Sequence, residues 1–220
     1  MLVKIFEPVN DSERTQIIRE AIAIAQRNTK VPIWKFPIDT RTEDAISQSN
    51  VTDIIVRELL QRGYNNDIVQ VFMLNKDIKA EGLNWCFGAT HGKIILISDY
   101  RIWNTNYSRE VKVAMLAYLI EHEIGHAFHA ADDLRAQGIY DLHCTDLCCV
   151  MQQVPSLNIL AEKAKFVAEH YLDTGETECY CPHCRTRFVY YSGHWLQKTL
   201  KKAFLICREA FYWQILYIML

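Results

Sequence analysis

Two histidines four residues apart, with a glutamate directly after the first, constrain this chain more than any other feature: His122-Glu123-Ile124-Gly125-His126. Residues at i and i+4 stand one above the other on a helix, so both imidazoles can point at one metal ion. Glu123 is then placed to reach a water on that ion and to move its proton. The flanking sequence supplies the helix. Over 108–130, "SREVKVAMLAYLIEHEIGHAFHA", the residues Val113, Leu116, Ala117, Ile120, Ile124 and Phe128 form one apolar stripe. Gly125 costs such a helix about 1 kcal/mol against alanine, so a close approach of backbone or substrate is expected there.

The cysteines point the same way. There are eight, and six of them (Cys144, Cys148, Cys149, Cys179, Cys181 and Cys184) crowd into one region downstream of the histidines. The opening "MLVKIFEPVNDSERTQ" breaks its short apolar run with Lys4 and Glu7, a poor signal peptide, so the protein is expected in the cytoplasm. Disulfides are not expected in that compartment, and metal binding is the better account of the clustering. Cys144 and Cys149, with Met151 just beyond, together with the Cys181-Pro-His-Cys184 knuckle, make a tetrahedral thiolate set suited to a structural zinc. Cys148 and Cys179 stay open as replacements for one of the four. Cys86 and Cys207 stand alone in apolar surroundings, as buried packing residues do. The net charge of -2 excludes a general attraction to nucleic acid or to anionic membranes.

The 220 residues suffice for one large domain with a small appendage. Helices are expected over 11–27, 42–62 (ending at Gly63) and 157–172. "VPIWKFPI" reads as a strand that its prolines push to a sheet edge. "DIVQVFML" (67–74) and "KIILIS" (93–98) are the clearest strands. The long connection between them, with three glycines, signals a functional loop or an extra strand. The last segment, 191–220, is apolar and aromatic with interspersed charges. It is too short to span a membrane and reads as an amphipathic helical tail that packs on the body or on a partner.

In combination these residues resemble the archaemetzincins, metzincin-type zinc peptidases that carry a second zinc on four cysteines. The matching positions are His122, Glu123 and His126, then the pair His143-Cys144, Cys149, Met151, and Cys181 with Cys184; "GLNWCFGATHGKIILISDYRI" (82–102) also looks like the family's strand and loop before the active helix. The resemblance implies an α+β, metzincin-like zincin: a mixed twisted sheet over an active-site helix, with a small zinc-stapled C-terminal subdomain. Residues 1–190 would form the catalytic domain, 1–129 its upper part and 130–190 its lower part, with Met151 in a turn beneath the first zinc. Zinc is implied at both sites. The family's glycine after the second histidine is His129 here, and the stretch to the His-Cys pair is longer, so Gly138 is expected to supply the turn instead.

That stretch leaves two residues for the third ligand of the first zinc. Asp132 lies ten positions after His122, where metzincins generally carry it; His143 keeps its register with Cys144 and Met151. His143 is the preferred assignment, because an inserted loop changes the distance to the helix more readily than the distance to the second site.

A zinc-dependent peptidase, either a metalloendopeptidase or an aminopeptidase, is the function so implied, with Glu123 activating the water. The partner would be a peptide or protein substrate bound in extended form along "GKIILIS" as an edge strand. Trp85, Phe87, Tyr100 and Trp103 are candidates to line the cleft. Two other classes compete. One is a catalytically weak zinc-binding protein-interaction module built on the cysteines and the apolar tail. The other is a nucleic-acid-binding ribbon on "CPHCRTRF" with Arg185 and Arg187, which the charge balance disfavours.

Overall fold

A computed structural model describes residues 3–7, 12–64, 68–131, 143–146, 149–174 and 179–193. Its five strands are β1 (Val3–Glu7), β2 (Ile33–Pro37), β3 (Val69–Leu74), β4 (Gly88–His91) and β5 (Ile94–Ser98), in the order β2-β1-β3-β5-β4. The pairs β1/β2, β1/β3 and β3/β5 are parallel, and β4 runs antiparallel to β5, so the sheet is mixed, as expected. β3 is buried along its whole length. Successive residues of a strand face opposite sides, and its near-continuous apolar run feeds two cores.

One core takes Val69, Val71 and Met73 with Ile95 and Ile97, and packs on α1 (Ser12–Thr29) and α5 (Arg109–Ala127). The other takes Phe72, Leu74, Ile94 and Leu96 against α2 (Thr40–Ser47) and α3 (Thr52–Gln61). The helix α4 (Tyr100–Trp103) follows β5, and α6 (Leu157–Thr174) covers α5 from below. A further helical run occupies 182–193.

Several expectations change. The single helix over 42–62 is two helices. The break at 48–51 is held by tertiary contacts: Val51 bridges Lys79, and the Lys76 ammonium donates to the carbonyls of Ile46 (2.6 Å), Ser47 (3.1 Å) and Ser49. An ammonium on the last carbonyls of a helix ends it as a C-cap does. β1 is an interior strand, between β2 and β3, although Lys4 and Glu7 interrupt its apolar run. "GKIILIS" is not an edge: β5 is paired on both sides, and β4 is the edge strand. β2 does lie at the opposite edge, where its prolines are tolerated. Finally, α5 is no one-sided amphipathic helix; every residue from Met115 to Gly125 is buried, enclosed by sheet, α1 and the chain around Met151. Asp132, Asp133, Gly138, Cys148, Cys207 and 194–220 of the expected tail lie outside the described residues.

α5 begins at Ser108, whose hydroxyl accepts from the Val111 amide (3.5 Å). It ends in a Schellman motif, with Ala130 N donating to Gly125 O (3.0 Å) and His129 N to His126 O (3.1 Å). The residue in the left-handed position is His129, at φ 57°. The turn therefore occurs at His129 itself, with a histidine bearing the strain, and the turn expected at Gly138 lies outside the described residues.

Candidate metal centres

His122 and His126 lie on the same face of α5 with their Nε2 atoms 3.1 Å apart. The His122 Nδ1–H donates to Val150 O at 2.7 Å. That bond leaves the Nε2 of His122 as a lone pair aimed at its neighbour. His143 completes the group, its ring centroid 5.1 Å from each of the other two, and one ring nitrogen of each of the three lies within 4.8 Å of the others. Burial, then the neighbouring His122 and His143, keeps the His126 imidazole neutral by holding its pKa well below the usual value. Three imidazoles gathered with one ring nitrogen each toward a common space suit a shared metal ion. Nitrogens on a tetrahedral zinc at about 2.05 Å stand about 3.3 Å apart, close to the 3.1 Å between His122 and His126 and inside the 4.8 Å that bounds all three, so the residues fit the ion.

Glu123 lies beside this trio, 5 % exposed. Its Oε2 accepts from the Thr90 hydroxyl at 2.6 Å. Burial raises its carboxyl to about 7, an effect the Thr90 hydrogen bond partly opposes. A Cβ at Gly88 would fall 2.3 Å from Glu123 Oε1, so only glycine leaves room for the carboxylate over β4. Gly125 is explained in the same way: a Cβ there would meet Met151 Sδ at 2.2 Å and the Tyr180 ring at 3.0 Å. The close approach expected at Gly125 is that of a side chain, Met151, under the histidines.

The four expected cysteines also meet. Cys144, Cys149, Cys181 and Cys184 bring their sulfurs within 4.8 Å of one another, with Cys144 and Cys181 at 3.7 Å. Sulfurs on a tetrahedral zinc at about 2.3 Å stand about 3.8 Å apart, so this set fits zinc too. Amides point at the sulfurs: Asp146 N at Cys144 (3.4 Å) and Cys181 N at Cys149 (3.3 Å). The Cys184 thiol, with the Cys181 and Met151 amides, draws Cys149 down to about 6, while burial pushes Cys144 up to about 12. Cys179 is turned instead toward the buried Glu121, and burial pushes its thiol well up.

The two centres share a backbone. His143 and Cys144 are adjacent, Cys144 N donates to Met151 O (2.8 Å), and Val150 N donates to Cys179 O (2.7 Å) while Val150 O holds His122. Tyr180 reaches across to donate to Glu121 O of α5 at 2.6 Å. Val150 and Tyr180, with Gly88 and Thr90, are the site residues the sequence did not single out. No spacing rule flags them, because each acts through tertiary register.

A cleft of about 940 Å³ runs past the histidines between β4 with the preceding 80–87 segment and Gln153–Pro155. Trp85 and Phe87 line it, whereas Tyr100 and Trp103 do not. Trp85 is fixed from behind by the Arg101 guanidinium, 4.1 Å from its ring centroid and doubly bonded to Asp77 (2.7 Å each).

No protein-family model matches the sequence, and no curated protein does. Solved structures do. An archaemetzincin from Methanopyrus kandleri superposes with a TM-score of 0.58 at 17% identity, covering 87% of this chain and 94% of its own. An archaemetzincin from Archaeoglobus fulgidus, complexed with malonate, gives 0.57 at 17% identity, with coverages of 85% and 99%. A zinc-dependent peptidase from Methanocorpusculum labreanum gives 0.52 at 14%, with 86% and 100%. The chain has the archaemetzincin fold.

Proposed function

We propose that this protein is a zinc-dependent peptidase, with a catalytic zinc on His122, His126 and His143 and a structural zinc on Cys144, Cys149, Cys181 and Cys184. The observation that carries the reading is the convergence of the three imidazoles beside Glu123 on the floor of the cleft. The archaemetzincin-like fold supports it.

A zinc ion on three imidazoles supplies a Lewis acid that polarises a carbonyl and acidifies water. The protein's own groups do the rest. His122 is held in the ligating tautomer by Val150 O, and His126 stays neutral through burial. Glu123 takes a proton from the attacking water on its carboxylate and passes it to the leaving amine. The outer edge of β4 offers main-chain hydrogen bonds to an extended peptide, and Trp85 and Phe87 offer apolar surface to its side chains. Both endopeptidase and aminopeptidase action fit this arrangement.

Closure of the thiolate site contributes folding free energy and fixes the Met151 segment under α5. Cysteines used as ligands rather than disulfides fit a reducing compartment, and a cytoplasmic protein is part of the proposal. No helix among the described residues is long and apolar enough to cross a membrane.

The test is cleavage of a proteome-derived peptide library at neutral pH by the zinc-loaded chain and by Glu123→Ala. Cuts made by the first and lost in the second are expected, and their flanking residues give the pocket preferences. A zinc-loaded wild type that cuts nothing would overturn the reading.

A further inference from the structure

The carboxylate of Glu123 is held from the sheet, not from the helix that carries it. Alternate residues of a strand face the same side, so Gly88 and Thr90 of β4 present one row to α5. Gly88 leaves the space in which the carboxylate lies, since a Cβ there would stand 2.3 Å from Oε1 and 2.7 Å from the carboxyl carbon. Thr90 supplies the donor, its hydroxyl 2.6 Å from Oε2 and 3.3 Å from the Glu123 main-chain oxygen. The strand is itself fixed by pairing, Gly88 opposite Ile97 and Thr90 opposite Ile95. A glutamate ordered only by its own helix loses about 1.5–2 kcal/mol of rotamer freedom when it commits to one position. A hydroxyl that fixes one oxygen before substrate arrives removes that cost from the reacting step.

We propose that Thr90 is a positioning residue for Glu123: its hydroxyl anchors Oε2 while Oε1 lies in the space that Gly88 leaves open. The inference rests on reading His122, Glu123, His126 and His143 as a hydrolytic metal centre. Thr90 acts through Glu123 and needs no contact with substrate. Valine at 90 keeps the shape and removes the hydroxyl, and serine keeps the hydroxyl and removes the methyl group, so the pair separates anchoring from packing.

The experiment titrates the full-length, zinc-loaded chain and its Thr90→Val and Thr90→Ser variants with acetohydroxamate by calorimetry. This small chelating acid gives up its hydroxyl proton as it binds the metal, to solvent or to a base beside the metal, and a well-placed carboxylate that holds the proton against the ligand tightens binding, so its affinity reports how well Glu123 is placed without requiring turnover. Zinc content and thermal unfolding are measured on the same samples. Thr90→Val is expected to weaken binding about 10-fold or more, the worth of a hydrogen bond to a charged group, while Thr90→Ser stays within about 3-fold of wild type. Gly88→Ala, which keeps the hydroxyl but displaces the carboxylate, is expected to weaken binding as well. In peptide cleavage the valine variant is expected to lose kcat with KM nearly unchanged. Equal affinity of wild type and Thr90→Val overturns the inference, and so does a serine variant as weak as valine, which would make the methyl contact the operative part. A wild type that gives the expected acetohydroxamate series but cuts no peptide removes the peptidase reading and leaves the positioning role standing. A zinc-loaded wild type that binds no acetohydroxamate overturns both.

Discussion

Replacing Gly125 with alanine sets two opposed effects against each other. In an exposed helix the change is stabilising by about 1 kcal/mol, because glycine loses more backbone freedom on folding. Here the new Cβ would stand 2.2 Å from Met151 Sδ. Ordinary contact lies near 3.7 Å, so the thioether must retreat by about 1.5 Å. Met151 is fully buried and has the Tyr180 ring as a neighbour at the same glycine, so no open space receives it. Overpacking of this kind costs about 1–3 kcal/mol, and the net expectation is a loss of about 1 kcal/mol. The more specific consequence is at the metal. Met151 follows Val150, whose carbonyl orients His122, and disturbing the group that holds a ligating imidazole lowers metal affinity about 10-fold or more. The assay is urea unfolding of zinc-loaded wild type, Gly125→Ala, Met151→Ala and the double variant, with zinc affinity by chelator competition. With Met151 shortened, alanine at 125 should regain its helix advantage, giving a coupling energy of about 1–3 kcal/mol. A Gly125→Ala protein that is more stable than wild type and binds zinc equally well would refute the reasoning.

Two further predictions concern the scaffold. His129→Gly should raise stability by about 0.5–1 kcal/mol, less whatever its ring gains against Tyr191, because the left-handed C-terminal position of α5 costs glycine nothing; an unchanged or lower unfolding midpoint would contradict the strained-cap account. Asp39 caps α2, accepting from the Thr42 amide (2.9 Å) and hydroxyl (2.8 Å), and these bonds hold its carboxyl below the usual range. Its contribution is therefore present at neutral pH and lost as pH falls through that lowered value. Asp39→Ala should cost about 1 kcal/mol at pH 7, and the gap to wild type should close in acid; a gap independent of pH would show that the carboxylate is not the cap.

The elements that could be read from the sequence are those whose residues fix their own environment. β3 and β5 are apolar runs of β-branched residues, α1 and α6 keep helical spacing, and β2 is confined to an edge by its prolines. β1 escaped because Lys4 and Glu7 break its apolar run, and both are accommodated by tertiary partners: Lys4 lies over the Phe36 ring at 5.1 Å and Glu7 pairs with Arg19 at 3.0 Å. The break between α2 and α3 escaped because its cap, Lys76, comes from the turn after β3, distant in sequence. At the site, ligand types and spacings announced His122, His126 and the two cysteine pairs, the family resemblance added His143, and the structure brings each set together. Gly88, Thr90 and Val150 are ordinary residues until the register of β4 and the path of the Met151 segment set them against Glu123 and His122. His129 misled in the opposite sense, since a histidine gives no sign that its backbone adopts the conformation glycine prefers.

The central claim is that two separate sites hold zinc and that His143, not Asp132, completes the first. The most direct measurement is elemental analysis of zinc per chain in the purified wild type, His143→Ala, Asp132→Ala and Cys181→Ser. The account predicts about two zinc ions for the wild type and for Asp132→Ala, and about one for each of the other two. A His143→Ala protein that retains both ions, or a wild type that holds fewer than two, would contradict it.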